Sequence, residues 1–445
     1  MPTVALIGTL DTKGVEYQFL KERVVAAGCE VLVIDTGVIG EPGFSPEVSS
    51  AEVAAAASQD LESLRAAERG TAVTAMGHGA GALLATMVAQ GRVHGVAGMG
   101  GSGGSSIVAA AMQSLPIGFP KVLVSTMASG DTRAFVGSSD VTLINSVVDI
   151  SGLNRVLRDV LSNAAVAVAA MAQRYAAAAP VAAGAPVIGA TMFGVTSPGV
   201  TVARRWLEDR GYEVLVFHAN GAGGRAMEAL MRQGMITGSL DVTTTELVDE
   251  LVGGNLAAGP DRLEVAGALG LPQVVSLGAL DMANFGPLAT VPERYRQRRL
   301  NVHNPAITLM RTTPEECSRL GEVVARKLNA ARGPVAVFIP KRGVSSLSVA
   351  GAAFHDPDAD AALFNALRAA LDPAIQCVEI DTDINDAAFA VAMAECADWL
   401  YRTWRAAGIQ ATEQGIDLET SHGGRGGGDD RRLVTAPARQ AVSIE

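Results

Sequence analysis

Val96-Ala-Gly-Met-Gly-Gly-Ser-Gly-Gly104 decides how this chain is read. Small and apolar residues, His94 apart, lead into it from Val93, and Ser105-Ser-Ile-Val-Ala-Ala-Ala-Met-Gln-Ser114 leads out with a helical pattern. Strand, glycine loop and helix in that order form an anion site. Glycine lets the backbone approach a ligand, and the first N–H groups of the helix and its dipole favour negative charge. The same order also serves as a tight turn that packs a helix on a sheet. Gly98, Gly100 and Gly103 fit G-x-G-x-x-G, but a dinucleotide fingerprint would follow the first strand and carry an acid about 20 residues on. Here the loop follows a middle strand, and the next strand, Lys121–Ser125, ends in Ser.

Upstream, Thr3–Gly8 reads as a buried parallel strand and Thr9-Leu-Asp-Thr-Lys-Gly14 as the loop after it, with Asp11 or Thr12 as helix cap. Val31–Ile34 is the next strand, and Ala51–Gln90 reads as helix in two pieces broken near Gly70. The Gly77-His-Gly-Ala-Gly81 cluster could pass for a second phosphate loop; with no strand before it, it reads as a close-packed helix face. Downstream, Val141–Ile144 is a short strand, Asp149–Arg174 a long helix, and Ala176–Pro186 a linker. The pattern then restarts. Gly28-Cys-Glu-Val-Leu-Val-Ile-Asp35 aligns without a gap with Gly211-Tyr-Glu-Val-Leu-Val-Phe-His218, an internal repeat of one β-loop-α-β unit. The expectation is an α/β chain of two doubly wound domains with mainly parallel sheets, at 1–180 and 186–410, followed by a disordered tail at 421–445.

With 445 residues, 49% hydrophobic and 18% charged, the chain has ample core for two domains. A net charge of −11 with no basic stripe argues against nucleic acid. Four cysteines without C-x-x-C spacing, and no leader or 18-residue apolar run, point to a cytoplasmic protein with no membrane partner.

Ligands of open α/β sheets bind beyond the carboxyl ends of the strands. In the first half those ends carry Thr9, Asp11, Thr12, Lys13, Asp35, Gly100, Gly101, Ser102, Gly103, Gly104, Ser129, Gly130, Asp131 and Thr132. Backbone amides, one lysine, hydroxyls and acids suit a nucleotide with Mg²⁺, although Asp11 and Asp131 would serve equally as turn caps. In the second half, His218, Asp241, Glu246, Asp281 and His303 reach loops expected to face one crevice, which makes them candidate acid–base groups; Gly221–Gly224 is a second candidate anion site. Neither a Walker loop nor a G-x-S-x-G elbow is present.

These blocks, together with Ser125-Thr-Met-Ala-Ser-Gly-Asp-Thr132, Val216–Glu228, Asp241-Val-Thr-Thr-Thr-Glu246, Gly278–Pro287 and Leu309–Thr313, closely resemble the N-terminal ATP-binding domain of the plant tobamovirus-resistance protein and its bacterial relatives, from about Val4 to Ala407. The resemblance implies two Rossmann-like subdomains, homodimers, and ATP against Thr9, Asp11, Thr12, Lys13, Gly100–Gly104 and Ser129–Thr132. In the plant protein this domain binds a viral replication protein, a partner not expected here. One position departs: Ser348 stands where the family usually has Asp, which puts any second-domain chemistry of that Asp in doubt. The expectation is an ATP- and Mg²⁺-dependent enzyme acting on a small molecule in an interdomain cleft. The alternatives are a nucleotide-gated interaction module without turnover and an NAD-dependent oxidoreductase.

Overall fold

The structure is a computed structural model that describes residues 1–178 and 184–413. The chain divides into two compact units, with the boundary in sequence between Ala182 and Ala183. Part of the linker expected at 176–186, and the tail expected at 421–445, lie outside the described residues.

The first unit is a parallel sheet of β1 (Thr3–Gly8), β2 (Glu30–Asp35), β3 (Gly95–Gly100), β4 (Lys121–Ser125) and β5 (Thr142–Asn145), in the order β2-β1-β3-β4-β5. The central strands are apolar on both faces because both faces are covered. Ala5, Ile7, Val96 and Leu123 pack under the helices Arg69–Ala89 and Ser102–Gln113; Val4, Leu6, Ala97 and Val122 pack under Leu10–Ala26 and Arg155–Ala177. The stretch read as two helical pieces is three helices, Ser50–Ala56, Leu61–Ala66 and Arg69–Ala89. Ser49 with Glu52 and then Asp60 cap the first two, and such polar caps stop one helix and start another.

The glycine cluster at 77–81 is a helix face. A Cβ on Gly77 would lie 2.9 Å from the Ala110 Cβ, and one on Gly81 would lie 3.0 Å from the Ser114 Oγ. By length and composition Arg69–Ala89 is apolar enough to cross a membrane. In this fold its glycine face is buried against Ser102–Gln113, where only Gly permits so close an approach.

The second unit holds β6 (Val187–Met192), β7 (Glu213–His218), β8 (Gly238–Thr243), β9 (Gln273–Gly278), β10 (Met282–Phe285), β11 (Leu300–Asn304), β12 (Ile307–Arg311), β13 (Val335–Pro340) and β14 (Gln376–Ile380). Six of these form a parallel sheet ordered β14-β13-β9-β8-β6-β7. The repeated segments correspond in role. β2 pairs with β1 from Thr3↔Glu30 to Gly8↔Asp35, and β7 pairs with β6 from Val187↔Glu213 to Met192↔His218. Gly28 and Gly211 both take φ +86° where the helix before each strand ends, the left-handed conformation that suits glycine. The chain is thus an α/β protein with two large parallel sheets. The sequence reading missed a small antiparallel sheet ordered β10-β12-β11. Its strands are four or five residues long and carry buried polar groups at Asn284 and Thr308, which erases the alternation that marks a strand.

Candidate functional site

In each parallel sheet the chain runs out from its first strand in both directions, which opens a crevice where two neighbouring strands diverge. In the first unit this is the gap between β1 and β3, whose pairing stops at Ile7↔Gly98. Tyr17, fully buried, closes the next rung. Its hydroxyl accepts from the Met99 N–H at 2.7 Å and points its proton toward the Ile7 and Met99 carbonyls at 2.5 and 2.9 Å. Burial pushes this phenol well above its usual range. Gly8 must be glycine, because a Cβ there would fall inside the Tyr17 ring.

Beyond the fork lies a cavity of about 540 Å³. The stretch read as a loop at Thr9–Gly14 is instead the start of the helix Leu10–Ala26, kinked at Lys13: Thr9, Asp11, Thr12 and Lys13 line the cavity from its cap and first turn, and Gly100, Gly101, Ser102, Gly103 and Gly104 line it from the end of β3 and the first turn of Ser102–Gln113. No side chain caps the helix Ser102–Gln113, so its first amides have no acceptor in a preceding turn. Gly100 has a steric reason: its Cβ would lie 2.8 Å from the Gly104 backbone. Lys13 donates its Nζ to the Ile150 carbonyl. One oxygen of Asp11 accepts from the Ile39 and Gly40 amides at 3.0 and 3.2 Å, while its buried Oδ1 has no partner.

Asp35 does not line the cavity. It is 2% exposed and accepts from the Leu10 and Gly37 amides, so it, rather than Asp11 or Thr12, caps the helix Leu10–Ala26 from the neighbouring strand. Burial raises its pKa. Ser129, Gly130, Asp131 and Thr132 also fall outside the lining. Asp131 pairs with Arg133 at 2.5 Å, and that hydrogen bond holds its carboxyl down at about 2.

The cavity also has walls that sequence reasoning missed. Arg65, Arg69, Thr36 and Asp149 line it beside an apolar flank of Val38, Leu64, Val73 and Met76. The Asp60-Leu-Glu-Ser63 cap signature was the local clue that the helices break here and present Arg65 and Arg69.

The second unit fills its corresponding fork. β6–β8 pairing stops at Ala190↔Leu240, and Thr191 takes over: its hydroxyl accepts from the Thr243 N–H at 3.0 Å and donates to Asp241 at 2.6 Å. Arg262, 1% exposed, grips Asp241 with two nitrogens at 2.6 and 2.7 Å, Glu246 at 2.6 Å and Glu228 at 3.3 Å. The other oxygen of Glu246 accepts from the Gly221 and Gly224 amides at 2.7 and 3.1 Å. The candidate anion site at Gly221–Gly224 therefore already holds a carboxylate of the protein. Burial pushes the Glu228 carboxyl up, as expected where three acids share one guanidinium.

The five candidate acid–base residues divide. Asp241 and Glu246 meet through Arg262. Asp281 is buried apart from them, where it accepts from the Ser345 hydroxyl at 2.7 Å; burial lifts its pKa to about 6 and its Oδ1 has no partner. His218 is exposed at the end of β7 with its ring 5.0 Å from that of Phe193, and His303 is exposed on β11. Among the described residues no three His, Cys, Asp or Glu side chains are grouped to hold a metal. Ser348, the departing position, is 1% exposed and closes a turn by accepting from the Ser345 N–H and donating to the Ser345 carbonyl. An ionised Asp could not make that donation.

Comparison with known proteins agrees with this two-part organisation. Residues 2–177 match the N-terminal domain, and residues 185–400 the C-terminal domain, of the uncharacterised protein family UPF0261. A UPF0261 protein of Clostridium tetani is 50% identical over 394 residues, which cover 88% of this chain and 97% of that one. A second, from Rhizobium meliloti, is 47% identical and covers 83% and 91%. The ToMV resistance protein Tm-1(GCR237) of Solanum lycopersicum is 40% identical over 88% of this chain, which spans 55% of the tomato protein. The chain belongs to the UPF0261 family, together with these bacterial and tomato relatives.

Proposed function

We propose that the first unit binds ATP with Mg²⁺ in the crevice between β1 and β3. One observation carries this reading: a 540 Å³ cavity at the fork brings the uncapped start of the helix Ser102–Gln113 together with Lys13, Arg65 and Arg69. Phosphate oxygens would take the amides of Ser102–Gly104 and the cations, and the apolar flank would take the base. Asp11 and Asp149 are the carboxylates on the lining, and they would hold the metal directly or through water.

In the second unit, Asp241 and Glu246 are consumed by Arg262, which favours a nucleotide that sets the state of the protein over one that is turned over there. The enzyme reading rests on Asp281, whose raised pKa suits proton transfer near neutrality, if a small-molecule substrate gains access to it. Calorimetric titration with ATP, ADP and NAD, with and without Mg²⁺, followed by phosphate release on the same samples, tests both. Mg²⁺-dependent ATP binding without release supports the module. Release stimulated by a metabolite supports the enzyme. Absence of ATP binding would overturn the nucleotide site.

A further inference from the structure

Two helices begin at the edge of the cavity, and they run side by side in the same direction. The seam can be followed residue by residue. A Cβ on Gly103 would lie 3.2 Å from the Arg69 Nη2; Gly77 lies against Ala110 and the Ile107 backbone; Gly81 lies against Ala111 and Ser114. The positive ends of two helix dipoles are therefore held together by a seam of glycines, an arrangement that each helix by itself disfavours. Arg69, the first residue of one helix, adds a whole positive charge at this end. It is exposed, and among the described residues its side chain has no ion pair or hydrogen bond. Both helix starts and the Arg69 guanidinium favour negative charge at this end.

A second and independent feature belongs to the same lining. Thr36 comes directly after β2, is 1% exposed and lines the cavity, yet its Oγ1 has no partner. A buried hydroxyl is normally satisfied, so this one is open to a partner. It shares the lining with Gly100–Gly104 and with the apolar flank of Val38 and Leu64.

We propose that Arg69 is a phosphate-clamping residue, working across the paired N-termini of the helices Arg69–Ala89 and Ser102–Gln113, and that Thr36 hydrogen-bonds the neutral part of the same ligand. The proposal rests on the nucleotide reading of this cavity and adds to it which residue reads which part of the ligand. Both residues touch the ligand in this assignment, and neither has a structural partner to lose.

The test is calorimetry on the full chain with ATP, tripolyphosphate and adenosine as probes, for the wild type, Arg69→Ala, Arg69→Lys and Thr36→Val. Arg69→Ala should lower affinity for ATP and tripolyphosphate at least tenfold and leave adenosine unchanged, with Arg69→Lys recovering part of the loss. Thr36→Val should weaken ATP and adenosine by the same factor and spare tripolyphosphate. Arg69 and Thr36 variants that bind all three probes like the wild type would overturn this assignment while leaving the nucleotide site standing. A wild type that binds none of them would remove the nucleotide reading itself. Thermal unfolding of each variant accompanies the titrations, and equal melting temperatures assign the losses to contact with ligand.

Discussion

At the fork between β1 and β3 the chain leaves glycine amides and three cations around a cavity, whereas at the fork between β6 and β8 it packs Asp241, Glu246 and Arg262 into the corresponding place. The two forks lie at the same position in two copies of one topology, yet the first leaves its helix start without a side-chain acceptor and the second supplies a carboxylate of its own. The difference lies in the residues just beyond the third strand of each unit. Gly101, the residue at the cap position of Ser102–Gln113, has no side chain to cap with, while Thr244-Thr245-Glu246 brings a carboxylate that reaches the Gly221 and Gly224 amides. A doubly wound fold thus provides the crevice, and a few side chains decide whether it stays an open cavity or becomes a core.

If the second fork is a structural core, Arg262→Met should destabilise the protein by about 3–5 kcal/mol, because three carboxylates would be left in the interior without their cation. Urea unfolding measures this, and an unchanged midpoint would break the contrast between the forks. The second unit should also respond to pH through Asp249, whose carboxyl is pushed up to about 7 by burial although Asn284 donates to it twice. A carboxyl with a raised folded pKa stabilises the native state below its unfolded value near 4 and loses that contribution as pH rises through 7, a span of up to about 4 kcal/mol. Asp249→Asn should flatten the fall in stability between pH 4 and pH 8 seen by urea unfolding; an unaltered slope would assign that fall elsewhere.

Gly100→Ala probes the first fork. Its methyl would meet the Gly104 backbone at 2.8 Å, so about 1–3 kcal/mol of stability should go, together with nucleotide affinity in calorimetry. Retained affinity at reduced stability would mean that the loop shapes the fold and not the site. At the far end of the scale, His303→Ala should leave the melting temperature unchanged, because the ring is exposed on an edge strand and contacts neither fork.

The sequence is legible where a local rule operates. Apolar runs ending in glycine mark the central strands, the repeat at Gly28 and Gly211 marks the second unit, and Thr9, Asp11, Thr12, Lys13 and Gly100–Gly104 do line one cavity, from helix starts where loops were expected. It is silent where partners are distant. Nothing in Gly259-Pro-Asp-Arg262 announces that this arginine will be buried against acids 16, 21 and 34 residues away. Arg65 and Arg69 were hidden inside an alanine-rich run whose breaks are single caps, and β10 to β12 are too short and too polar to show a period. Asp35 shows the same limit from the other side. A carboxylate at a strand end suggests a ligand group, but the nearest unpaired amides belong to the protein's own helix.

Tyr17 carries one further consequence. A parallel ladder zips until something stops it, and between β1 and β3 that stop is a single oxygen atom, bonded where the next rung would form. The point where β1 and β3 part is therefore set by the reach of one phenol from the helix behind the sheet. A shorter side chain would free Gly8 and Met99 to approach each other, so the place where the two strands part is one this chain writes at position 17, ten residues from the carbonyl it holds.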